Sequence, residues 1–110
     1  MQYILLIYTR EDLPFDPSVM KDYIELSRDL RAAGKLHATE PLQPTTAATS
    51  LRIRDGETLI TDGPFAETRE ALGGFYLIDA KDLDEALAVA KRIPAAKIGT
   101  IEVRPIRAMS

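Results

Sequence analysis

Two short segments of this 110-residue chain are apolar on both faces, and that restricts its fold more than any other feature. In residues 3–8, Tyr3, Leu5 and Ile7 alternate with Ile4, Leu6 and Tyr8. In residues 74–80, Phe75 and Leu77 alternate with Tyr76 and Ile78. Successive side chains of a strand point to opposite sides of its sheet. Each of these strands therefore needs cover in front and behind, and belongs at the centre of a sheet. The chain offers two helical stretches as cover. Asp16 and Pro17 suit an N-cap and a first helical turn. Met20, Tyr23, Ile24, Ser27, Leu30 and Ala33 follow at helical spacing, with Gly34 as the stop. Asp82 and Glu85 have capping-box spacing, Leu83, Ala86, Leu87 and Ala90 form the second stripe, and Pro94 ends it.

Residues 36–42 read as a further strand. In residues 48–54, Leu51 and Ile53 alternate with Arg52 and Arg54; Asp55-Gly56 then marks a two-residue hairpin turn, and residues 57–61 return. Residues 100–106 form a last strand, with Ile101 and Val103 facing inward and Pro105 confining it to an edge or to its own end. This order predicts one α+β domain over residues 1–110: a ferredoxin-like βαββαβ unit with an inserted β-hairpin. Its two helices cover one face of an antiparallel sheet. The other face of the central strands would then expose more apolar surface than monomers usually carry. A second copy is the simplest cover, because two-fold dimers are the commonest closed oligomers. The expectation is a homodimeric α+β barrel, sheets facing and helices outside. The competing arrangement is a monomer whose own hairpin folds over the sheet.

Composition narrows function mainly by exclusion. No apolar run approaches the roughly 20 residues that span a bilayer, which argues against a membrane protein. The net charge is −3 and the basic residues are scattered singly, which argues against direct contact with nucleic acid. There is no cysteine, so disulfides, thiolate metal sites and cysteine nucleophiles are excluded. With one histidine, a multi-histidine metal site within one chain is impossible. The N-terminus has no basic start and no small-residue cleavage site. The expectation is a cytoplasmic protein with no metal and no cofactor.

The stretch Thr61-Asp62-Gly63-Pro64-Phe65-Ala66-Glu67-Thr68-Arg69 is the strongest candidate for a site. It is too polar for core, yet it lies between two strands. Gly63 permits unusual backbone angles and Pro64 fixes φ, so the bend is stiff. Asp62 and Glu67 are the candidates for general acid/base work, or for a polar anchor that holds a small ligand. The plainer alternatives are that Asp62 caps the turn through its own backbone and that Glu67 and Arg69 form a surface pair. Arg69, His37, Glu40 and Arg104 are ligand-binding candidates. His37 is the one histidine and could shuttle a proton. Glu40 has the opposite parity, so the two share a pocket only if the strand carries a bulge. Arg104 and Glu102 share the outer parity of the last strand, where cross-strand or dimer contacts would explain them equally well. Ser27 is expected to bond back to its own helix. Gly73-Gly74 lacks phosphate-loop spacing and is expected to allow close backbone approach.

These residues also resemble a known family. Asp62-Gly63-Pro64-Phe65-Ala66-Glu67-Thr68, followed by Leu72-Gly73-Gly74-Phe75-Tyr76-Leu77-Ile78, is similar to the DGPF-domain branch of the YCII-related family. The likeness extends to residues 3–8, Ala33-Gly34, Glu40-Pro41-Leu42-Gln43-Pro44, residues 82–90 and Glu102-Val103-Arg104-Pro105. The resemblance implies a dimeric α+β barrel in a small bacterial protein without a settled activity. It also implies two functional classes: a small-molecule binding or catalytic protein, and a non-enzymatic partner of an extracytoplasmic-function sigma factor. For the broader group it implies a His–Asp pair whose histidine lies in the first helix. There is no histidine between Asp16 and Gly34, so that pair is not carried over, and His37 is not its match.

Overall fold

The computed structural model describes residues 1–108. Six strands and two α-helices follow one another as β1 (Gln2–Thr9), α1 (Met20–Ala32), β2 (Leu36–Pro41), β3 (Thr49–Arg54), β4 (Glu57–Asp62), β5 (Ala71–Asp79), α2 (Leu83–Ala90) and β6 (Thr100–Pro105). The order β2-β5-β1-β6, antiparallel throughout, is the ferredoxin-like arrangement expected from the sequence. Strands β3 and β4 form a separate two-stranded sheet, inserted between β2 and β5.

Local sequence accounts for the element ends. Asp16 accepts from the Ser18 N–H at 2.9 Å and opens a 3₁₀ turn, Pro17–Val19, that runs into α1. Gly34 leaves α1 at φ 70°, the left-handed conformation a helix stop needs. Asp82 caps α2 by accepting from the Glu85 N–H at 2.9 Å. The Glu85 carboxylate does not complete the box; it crosses to Lys35 at 2.5 Å, and that ammonium holds it below the usual carboxylate range. At the β3–β4 turn, Asp55 and Gly56 both have positive φ, 51° and 78°, as a primed two-residue hairpin turn requires.

Both helices lie against one face of the sheet. Tyr3, Leu5, Tyr76 and Ile78 are buried there with Leu26, Leu30, Ala86, Ala90 and Ile93. The buried line of α1 differs from the stripe expected: Leu26 is fully enclosed, whereas Met20, Ile24 and Ala33 face solvent. Leu26 and Leu30 carry the buried line of α1, and on α2 Ala86 and Ala90 are buried while Leu83 and Leu87, also expected to be buried, are exposed. Ser27 does not bond back to its own helix; its hydroxyl meets the Tyr76 hydroxyl at 3.1 Å, joining α1 to β5. Gly74 does allow close backbone approach, since an added Cβ would lie 3.0 Å from the Glu40 carbonyl oxygen. Gly99 is more demanding: a Cβ there would fall on the Tyr8 carbonyl.

The opposite face is open. Register places Ile4 beside Leu77 and Leu6 beside Phe75, with Arg104 and Glu102 next to them on β6. The hairpin does not fold over this face. Every residue of β4 is exposed, as are Leu51 and Ile53 of β3, and the pair projects as an arm. The single-chain arrangement in which the hairpin covers its own sheet is therefore excluded.

Candidate functional site

The turn after β4 is built by its backbone. Gly63 has φ 109°, open only to glycine without strain, and its N–H donates to the Ala48 carbonyl at 2.7 Å. The Ser50 hydroxyl donates to the Gly63 carbonyl at 2.8 Å. These bonds tie the start of β3 to the end of β4 and do the work assigned in one reading to Asp62. Among the described residues, no N–H or hydroxyl bonds the Asp62 carboxylate, so it is free to meet a ligand. Phe65 is exposed, and the Arg52 guanidinium stands 4.8 Å from its ring centre, which steadies the far side of the bend. At the end of the loop, Thr68 donates to the Glu70 carbonyl at 2.6 Å, and the Glu70 carboxylate accepts from the Thr100 hydroxyl at 2.7 Å.

Beneath this loop runs an open groove of about 530 Å³, lined by Glu11, Thr45, Thr46, Asp62, Gly63, Pro64, Ala66, Glu67, Thr68 and Ala71. A smaller groove of about 330 Å³ adjoins it, lined by Arg10, Glu11, Asp12, Thr68, Arg69 and Ala71. The two share Glu11, Thr68 and Ala71 as a common wall. Glu11 was not singled out in the sequence, yet it fixes one side. Its carboxylate accepts from the Thr45 hydroxyl and from the Thr45 N–H at 2.8 Å, and these bonds hold it below the usual carboxylate range. Asp12 is likewise held down, by a bidentate contact with Arg10. Arg10 is thereby occupied. Arg69 makes no ion pair among the described residues, so the surface pair considered for Glu67 and Arg69 is not formed. The larger groove thus presents Asp62 and Glu67 uncommitted, the smaller one presents Arg69, and Glu11 braces the wall they share.

The other candidates gather elsewhere. A bulge between Leu36 and Ala38 turns His37 onto the open sheet face, the side that also carries Ala38 and Glu40. His37 and Glu40 therefore do share a face, by the one device that could bring them together. The His37 Nε2 lies 2.6 Å from Asp79 and 3.3 Å from the Gln2 amide. Neither partner was visible as such in the sequence. Glu40 pairs across to Phe75, and Arg104, beside Ile4, has an exposed contact of 3.8 Å with Glu102. Asp79 and Ala71 are opposite ends of β5. At about 3.4 Å per residue these ends are roughly 27 Å apart, so His37 and the loop acids do not meet within one chain. Among the described residues no group of three or more histidine or acidic side chains is placed to hold a metal ion. No helix among them is long and apolar enough to cross a membrane.

Comparison with known proteins settles the lineage. The YCII-related domain matches residues 1–110. The chain belongs to the YCII-related family. Among its relatives is an uncharacterised protein of Rhizobium meliloti (strain 1021), 46% identical over 114 residues, which cover 96% of this chain and 92% of the relative. A solved structure, the 5-chloro-2-hydroxyhydroquinone dehydrochlorinase of Burkholderia phenoliruptrix AC1100 in complex with 2,5-dihydroxybenzoquinone, aligns over 97% of this chain and 94% of its own length. That alignment has 15% identity and a TM-score of 0.45. The likeness is too distant to transfer chemistry to this YCII-related protein.

Proposed function

We propose that this YCII-related protein, of the DGPF branch by its Asp62 to Thr68 run, binds a small polar molecule in the groove beneath that loop. The observation that carries the reading is a rigid turn that leaves three charged side chains unused. Asp62 and Glu67 would accept from ammonium or hydroxyl donors, and Arg69 would take an anionic end. The ligand class is a small amphoteric or hydroxylated acid. If the groove is catalytic, the free carboxylates are the proton-transfer groups.

The same reading includes a pair of chains. The open face of the sheet has an apolar centre of Ile4, Leu6, Phe75 and Leu77, each half-buried, and neither the helices nor the arm packs over it. Two such faces packed together would close an α+β barrel with the helices outside.

Binding is tested by recording amide NMR spectra during titration with a panel of free amino acids, hydroxycarboxylic acids and diamines. The expected result is saturable shifts confined to residues around Glu11, Asp62 and Glu67 for one class, lost in Asp62→Asn and Glu67→Gln. Equal shifts in wild type and variants, or none with any class, would sink the reading.

A further inference from the structure

The arm and the open sheet face are both incompletely covered, and neither covers the other. Leu51 is 58% exposed and Ile60 65%, paired opposite each other on one face of a two-stranded sheet. An isolated hairpin of this kind is marginally stable in water. The whole chain shows the same deficit. Its accessible surface is 8114 Å², whereas a compact monomer of 12.2 kDa is expected to expose about 6,100 Å². Its radius of gyration is 16.0 Å, against about 13 Å for a compact chain of this length. The thin dimension is 19 Å, the depth of one helix layer on one sheet.

The excess of about 2,000 Å² is larger than the roughly 800 Å² that each partner loses in a standard interface. It falls in the range of permanent homodimers, about 1,000–2,500 Å² per chain. The sheet face alone is too small to account for it. Four strands about 4.8 Å apart and about 20 Å long have a footprint of roughly 400 Å². The exposed Leu51, Ile53, Leu59 and Ile60 of the arm contribute a further part of it.

We propose that two copies of this chain exchange arms. Each β3–β4 hairpin lies along the other chain and buries Leu51, Ile53 and Ile60 there, so the dimer is a mutual clasp as well as a pair of facing sheets. This rests on the face-to-face pairing proposed above. A second copy fits better than an unrelated partner, because both uncovered surfaces are on the same chain and a two-fold axis satisfies both at once. The clasp also bears on the groove. Asp62 is the last residue of β4, and Ser50 of β3 holds the Gly63 carbonyl. Seating the arm on the partner would therefore fix the wall that carries Asp62, and the partner would border the ligand site.

Sedimentation velocity over nanomolar to micromolar concentrations tests this with three proteins: wild type, a variant with residues 51–60 replaced by a short Gly-Ser turn, and Leu51→Lys with Ile60→Lys. The double substitution changes only side chains exposed in the single chain, so its core folding does not depend on them; far-UV circular dichroism verifies that. The expected result is wild type at twice 12.2 kDa, with dimer affinity weakened at least about 100-fold in both variants. Variants that pair as tightly as wild type would overturn the arm exchange and leave the facing sheets intact. A wild type that remains monomeric at micromolar concentration would overturn both.

Discussion

The core and the arm are made from the same kind of sequence and meet opposite fates. Leu5 and Ile78 alternate along their strands as Leu51 and Ile60 do along theirs. The first pair is wholly enclosed by two helices; the second stands in solvent. Strand alternation states that a face wants cover and is silent about what supplies it. In the core, α1 and α2 lie within the same chain. For the arm and the far side of the sheet, nothing within residues 1–108 does so.

The largest effect that would sharpen this contrast is in the core. Ile78→Ala should cost about 2–5 kcal/mol in urea unfolding, since a fully buried branched side chain leaves a cavity. Leu51→Ala, by contrast, should cost under about 0.5 kcal/mol at chain concentrations low enough to separate the copies. At high concentration its cost should rise. A core-sized loss at every concentration would show that the arm packs within its own chain. Gly99→Ala comes next: the added carbon collides with the Tyr8 carbonyl, and unfolding should show a loss of about 1–3 kcal/mol. Asp82→Ala removes the cap of α2 and should lower stability by about 1 kcal/mol, with Asp82→Asn close to neutral.

The smallest effect concerns the groove wall. Glu11 is held below its usual range chiefly by the Thr45 hydroxyl, then by the Thr45 N–H. A depressed carboxyl contributes stability above its unfolded-state pKa, and the contribution disappears as pH falls through the folded-state value. The stability difference between wild type and Glu11→Gln should thus be constant from neutral pH to the top of the ordinary glutamate range. It should shrink to nothing below that range. Urea midpoints measured across this window check it, and a difference that grows as pH falls would contradict the Thr45 tether.

Much of the fold is legible in the sequence because its signals are local. Asp16-Pro17, Gly34, Asp55-Gly56 and Asp82 each define an element end through their own backbone preferences. The two-faced strands indicate an uncovered sheet face. The stripe of α1 was misplaced because Ile24 and Leu26 are equally apolar, and only tertiary packing chooses between them. The bulge at His37 has no glycine or proline to announce it, so its pairing with Asp79 and Gln2, distant in sequence, could not be foreseen. The loop acids were found because their turn is written in Gly63 and Pro64. Glu11 was missed because Thr45, its partner, is 34 residues away.

Hydrogen exchange of the β3–β4 amides reads most directly whether a second chain protects what this one leaves bare. At high concentration these amides should exchange slowly, approaching those of β1 and β5. On dilution below the dimer dissociation constant they should become fast while the β1 and β5 amides remain slow. Arm amides that exchange at hairpin rates at every concentration would contradict it.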